Sequence, residues 1–193
     1  MKRLIPFLFL LSFFVPMCFG QIVFDYTISD TYDFSVTLNS ESLLITGAGA
    51  LQIDAKGESY IEVQNTAPLQ ENIGGIYSLL LDDFSILNFY DGEMGGFSIY
   101  DDATATFSGG RIDYISSFQD SDLTKHITFV ADLDSIDLTG NLLTGNWLDG
   151  SGFSVTLLDQ TGYDSVYSNI NFIPEPATVL LFGLGGLALR KRW

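Results

Sequence analysis

Between residues 21 and 173 apolar and polar side chains alternate in short bursts. Phe34-Ser-Val-Thr-Leu38, Tyr60-Ile-Glu-Val63, Phe97-Ser-Ile99, Ile112-Asp-Tyr114 and Phe153-Ser-Val-Thr-Leu157 each follow the period of two that lets a pleated strand bury one face. Thr, Ile, Val, Phe and Tyr dominate these bursts and suit a pleated surface, while the Lys, Arg and Ala-rich runs of surface helices are nearly absent. Between the bursts lie turn signals: Gly47-Ala-Gly49, Gly74-Gly75, Asp91-Gly92, Gly95-Gly96, Gly109-Gly110 and Asp149-Gly150. The pattern predicts an all-β body.

Two stretches are versions of each other. Shifting by 18 residues places Phe89 on Phe107, Asp91 and Gly92 on Gly109 and Gly110, and Phe97 on Ile115. A repeat of this length, with one or two short strands and glycine corners, is what a parallel β-solenoid rung requires. Apolar beats at Ile45, Ile53 and Ile61 supply earlier rungs. The expectation is a small β-solenoid or β-helix over 42–117, with antiparallel strands from 126 to 172 covering its end. A jelly-roll-like β-sandwich is the alternative, since strand bursts recur at the spacing such folds also use.

The two ends have different patterns. Lys2 and Arg3 precede a predominantly apolar run from Leu4 to Val15, and Cys18 and Gly20 put small side chains at the −3 and −1 positions of a cut before Gln21. This is a signal peptide over 1–20, too short to span a bilayer, which takes about 20 apolar residues. At the other end Pro174-Glu175-Pro176 is followed by an apolar stretch from Ala177 to Leu189, then Arg190, Lys191 and Arg192. The prolines interrupt strand and helix alike. The apolar stretch predicts a short hydrophobic helix, with the cations held on the cytoplasmic side. A plain tail anchor is the other reading of this segment.

The tail resembles the PEP-CTERM sorting signal of exported bacterial proteins. Pro174, Glu175, Pro176, Thr178, Leu180, Leu181, Gly183, Leu184, Leu187 and the cluster Arg190, Lys191 and Arg192 fall where that pattern has them, and Trp193 departs from its all-basic ending. The resemblance is confined to 174–193. It implies recognition by an exosortase, a membrane transpeptidase, and cutting near the Pro-Glu-Pro element. The inner membrane is then held only transiently, and the body reaches the cell surface or the extracellular matrix beside exopolysaccharide. Pro174, Glu175 and Pro176 are then substrate elements and not catalytic groups.

Charge narrows the body's partners. Lys56, Arg111 and Lys125 are its only cations, against 23 carboxylates, a net charge near −20. Such a surface repels nucleic acid and anionic lipid. No Cys lies in the body, so disulfides and thiolate chemistry are excluded there.

Candidate chemistry is sparse. His126 is the sole imidazole and reads as a surface residue at a strand start; no G-x-S-x-G elbow, phosphate-binding loop or H-E-x-x-H occurs. Acidic pairs suited to glycoside hydrolysis abound: Asp82 with Asp83, Asp91 with Glu93, Asp101 with Asp102, and Asp120 with Asp122. A structural calcium ion is the ligand such residues favour, with Asp132, Asp134 and Asp137 as candidates beside Asp82 and Asp83. Tyr60, Tyr77, Phe89, Tyr90, Tyr100, Tyr114 and Trp147 are the aromatics available to stack on sugar rings, Trp147 foremost, although core packing is the commoner fate of such residues. The expectation is a non-enzymatic surface or matrix protein. A carbohydrate-binding module is the alternative, and a polysaccharide-active enzyme a more remote one.

Overall fold

The computed structural model of the chain describes residues 22–70, 74–119 and 125–174. The signal peptide with its cut between Gly20 and Gln21, the pair Asp120 and Asp122, and the C-terminal helix with Glu175, Pro176, Thr178, Gly183 and Arg190–Arg192 lie outside the described residues.

The backbone winds so that each turn gives one short strand to one sheet and one longer strand to another. The short strands are β1 (Tyr26–Ile28), β4 (Ser42–Ile45), β6 (Tyr60–Val63), β8 (Ile86–Phe89), β10 (Thr104–Phe107), β12 (Ile127–Val130) and β16 (Ile170–Ile173), neighbours in that order and all parallel. The second sheet begins with β2 (Tyr32–Asp33) and β3 (Val36–Asn39). It continues through β5 (Gly49–Lys56), β7 (Gly75–Leu81), β9 (Glu93–Tyr100), β11 (Arg111–Phe118) and β15 (Gly152–Leu158), again parallel. A hairpin of β13 (Asp137–Thr139) and β14 (Leu142–Asn146) extends that sheet antiparallel beyond β15. The body is a two-sheet parallel β-solenoid.

In-register parallel pairing puts each inward side chain on its equivalent one rung away. On the short strands one inward ladder runs Ile28, Ile45, Val63, Phe89, Phe107, Phe129, Phe172, so the core turns from aliphatic to aromatic along the axis. Its rings stack at centroid distances of 5.9, 5.4 and 5.9 Å from Phe89 to Phe172. The long strands bend once each. Their buried positions run Ala50, Ile53, Ala55, then Ile76, Leu79, Leu81, then Met94, Phe97, Ile99, so two residues rather than one separate the first pair each time. The pairing skips Leu51, Tyr77, Gly95 and Asp113 at this bend. Beside it, Gly96 leaves room for the ring of Tyr114 one rung on; a Cβ there would lie 2.3 Å from that ring.

At the corner that follows each long strand, one position is left-handed in four successive rungs: Ser40 (φ 68°), Gly57 (φ 63°), Asp83 (φ 57°) and Asp101 (φ 47°). One residue before each short strand from β6 onward, Ser59, Ser85, Ala103, His126 and Asn169 form a second, buried column.

The solenoid is longer than the span 42–117, reaching from β1 to β16, and the antiparallel strands expected over 126–172 are present as β13, β14 and β15, set between parallel neighbours. β12 and β16 continue the parallel sheet and β15 pairs parallel with β11, while antiparallel pairing joins β13 to β14 and β14 to β15. The repeat is obscured there because the intervals lengthen: 22 residues separate Ala105 from its partner Ile127, and 43 separate Ile127 from Ile170. Parallel neighbours exclude the jelly-roll alternative, whose sheets are antiparallel.

Phe129 touches four rings, those of Phe107, Trp147, Phe153 and Phe172. Phe129→Ala is expected to cost about 3–5 kcal/mol in urea unfolding, against less than about 0.5 kcal/mol for the exposed Phe34→Ala.

Candidate functional site

The left-handed corner and the ladder of long-strand ends together shape a cleft of about 470 Å³. Its aromatic lining follows from register. Tyr100 and Phe118 are paired residues on β9 and β11, and their rings lie parallel, 4.3 Å apart at an interplanar angle of 4°. Tyr163, from the loop after β15, stands nearly perpendicular to Phe118 at 5.6 Å. That loop is pinned by the carboxylate of Asp159, which accepts from Val166 N at 2.8 Å, with Val166 buried beneath. Phe84 also lines the cleft and is 62% exposed.

The polar lining comes from the same corner. Asp83, Asp101 and Asp102 border the cleft, with Gln119 and His126 below them. Gln119 is buried and donates through Nε2 to the carbonyl oxygens of Asp101 and Ala103. His126 is only 7% exposed, and its Nδ1 donates to Ala103 O at 3.1 Å. It is a buried corner residue, not the surface histidine expected, because the column of residues preceding the short strands faces inward.

Three carboxylates crowd at the rim. Ligand oxygens of Asp82, Asp83 and Asp101 lie within 4.8 Å of one another, the one such set among the described residues. Desolvation, and then the charge and hydrogen bond of Asp82 with the charges of Asp83 and Asp102, raise the Asp101 carboxyl above its ordinary value. Lys56 Nζ lies 3.9 Å from Asp82 Oδ2, and Gly57 N donates to Asp83 Oδ2 at 2.9 Å. The trio would give a calcium ion three hard oxygens of the six to eight it takes. Asp132, Asp134 and Asp137 do not converge in this way. The Asp132 carboxylate caps a short 3-10 turn by accepting from Asp134 N, and Asp137 Oδ2 accepts from Thr139 Oγ1 at 3.0 Å.

The remaining aromatics are scattered over both sheets and corners. Trp147, the favoured sugar platform, is 1% exposed; it stacks on Phe129 and donates through Nε1 to Gly110 O at 2.9 Å, so it belongs to the core. Phe89 is buried as well. Tyr60 stacks on Phe24 at 6.0 Å and hydrogen-bonds Glu62 and Asn88, Tyr114 lies over Gly96, and Tyr77 and Tyr90 are exposed. Of these candidates Tyr100 is the one that lines the larger cleft, and its companions there, Phe84, Phe118 and Tyr163, were not singled out by pattern. A second cleft, of about 360 Å³, opens at the opposite corner around Thr66, Gly92 and Arg111. Its cation is already engaged by Asp113 at 2.9 Å and Glu93 at 3.6 Å.

The last strand, β16, ends at Ile173, and Pro174 follows at once. A parallel β-solenoid body thus leads directly into the C-terminal segment. Residues 172–192 match the family model of the PEP-CTERM protein-sorting motif. The chain is an exported, envelope-associated protein carrying a signal for processing by exosortase, a membrane enzyme. No curated protein and no solved structure matches it. Among the described residues no helix is long and apolar enough to cross a membrane.

The crowded rim predicts a pH signature. Because the folded-state carboxyl of Asp101 titrates above the ordinary 3.8, folding is penalised once pH exceeds that raised value and freed of the penalty below 3.8. Asp101→Asn keeps a side chain that tolerates the left-handed backbone and removes the charge. It is expected to raise Tm at neutral pH, with the advantage over wild type shrinking as pH falls through the carboxylate range. Thermal melts of both proteins from about pH 3 to 8 check this.

Proposed function

We propose that the chain is a non-enzymatic component of the cell surface or extracellular matrix, delivered there by exosortase processing, with its solenoid body acting as a structural or adhesive module beside polysaccharide. The observation that carries this reading is the junction at Ile173–Pro174. The core ends on the last strand and the sorting motif begins there, so a cut near Pro174–Pro176 releases a body whose rungs are all retained. An acidic surface supports the reading too. The three cations of the body are each held, Lys56 and Arg111 by carboxylates and Lys125 by Ile170 O at 2.9 Å, which leaves most carboxylates to keep exported copies apart.

One observation favours a second reading, a polysaccharide-active enzyme. Asp101 combines a raised carboxyl with a cleft and nearby carboxylates, the pairing that glycoside hydrolysis uses. Against it, the three closest carboxylates sit together on one rim, within 4.8 Å, and two of them are consecutive in the chain. A glycosidase needs its two groups on either side of the scissile bond.

Intact mass in the native host tests the leading reading. The expected product begins at Gln21 and ends near Pro174–Pro176, in the envelope or extracellular fraction. Changing Pro174, Glu175 and Pro176 together to Ala is expected to leave a membrane-fraction species that retains Arg190–Trp193. Finding that longer species in the wild type would refute sorting. Release of reducing ends from a polysaccharide by the processed protein, lost in Asp101→Asn, would instead establish the enzyme.

A further inference from the structure

We infer that the turn-edge cleft binds a neutral pyranose ring of a polysaccharide, with Tyr100, Phe118 and Tyr163 as its apolar wall. The inference rests on the extracellular, non-enzymatic reading above and adds to it a site and a ligand class. A pyranose is a polar molecule with one C–H face. Its recognition needs an aromatic surface together with a few hydrogen-bonding groups aimed at its hydroxyls. The cleft supplies both. Register holds Tyr100 and Phe118 face to face at 4.3 Å, which covers one face of each, and Tyr163 meets Phe118 at 77°, so the rings form a fixed apolar wall whose open surface is supplied by Tyr163 and the neighbouring Phe84. Tyr163 remains 45% exposed despite that contact, which leaves its outer surface open.

The side chains beside the rings are carboxylates and the buried pair Gln119 and His126, and among the described residues none that lines the cleft is Lys or Arg. Carboxylate oxygens accept from sugar hydroxyls. The same oxygens repel uronates, sulfated sugars and phosphate esters, which fixes the ligand as neutral. Gln119 and His126 are committed to backbone carbonyls of the corner, so they stiffen the cleft floor before any ligand arrives, and little ordering remains to oppose binding.

The test uses the protein purified from the native host, from whichever fraction holds it, in native gels cast with laminarin, dextran or galactomannan. Its high negative charge carries it through such gels, so retardation reports binding. Wild type is expected to be retarded by at least one of these neutral polymers and not by alginate. Tyr163→Ala and Phe84→Ala are expected to raise Kd by about three- to tenfold each. Tyr77→Ala, exposed and outside the cleft, is expected to bind like wild type. Phe84 is largely exposed and Tyr163 nearly half exposed, so urea midpoints are expected to stay close to wild type and to show that lost binding is not lost folding. Absence of retardation by all three neutral polymers would overturn the inference. So would unchanged retardation in both cleft variants, or binding confined to alginate. A chain found still carrying its C-terminal tail would refute the sorting reading alone, since the gel assay reads the body in either form.

Discussion

Parallel in-register pairing forces every side chain of the body to sit about 4.8 Å from its equivalent one rung away, and almost every feature of the molecule follows from that constraint. Where the equivalents are aromatic they become a column of rings, as from Phe89 to Phe172. Where they are hydroxyls they bond to each other, as Ser98 does to Ser116 at 3.0 Å. Where they are charged they have no escape, and Asp83 and Asp101 occupy the same left-handed corner of adjacent rungs. The rule that builds the aromatic wall of the cleft therefore also builds the strained acidic rim beside it. A sandwich could turn one of these side chains away. A solenoid cannot do so without shifting the register of a whole strand.

The fold was largely legible because the 18-residue shift is a physical register and not a coincidence of composition. Phe89 pairs with Phe107 and Phe97 with Ile115, as the shift requires. Carried further, the same shift sets Tyr100 on Phe118 and Asp83 on Asp101, so half of the candidate cleft was written in the repeat and only needed to be read out along it. Tyr163 was not, since it comes from a loop that belongs to no rung. The outer limits of the solenoid were hidden for a similar reason. The hairpin of β13 and β14 lies between β12 and β15 in the chain, and no period survives such an insertion. Trp147 took the core role that is the commoner fate of such residues, although its Gly-Asn-Trp-Leu-Asp-Gly context reads as an exposed turn. The turn exists, but the hairpin folds it over the end of the core, and Gly110 O takes the indole N–H.

Aliphatic rungs at one end and aromatic rungs at the other give the body a graded interior. The first rung has little to cover it: β1 and β3 are edge strands, and Phe34 is exposed. It is tied down chiefly by polar groups, with the Asp25 carboxylate accepting from both the backbone and the hydroxyl of Ser42 at 2.8 Å. The last rungs are closed by Trp147, Phe153 and Phe172 around Phe129. Asymmetric closure of this kind is how solenoids keep one end from templating growth, since unpaired parallel edges invite further strands.

The chain enters the short-strand sheet at β1, on one edge, and leaves it at β16, on the other. Seven strands separate those edges by roughly 29 Å at the usual inter-strand spacing. A body held through its C-terminal end therefore stands with its axis running away from the point of attachment, and its first rung is the part presented outward. Load applied between the two ends would act across the strands, along the inter-strand hydrogen bonds, and would open them rung by rung rather than shear many at once.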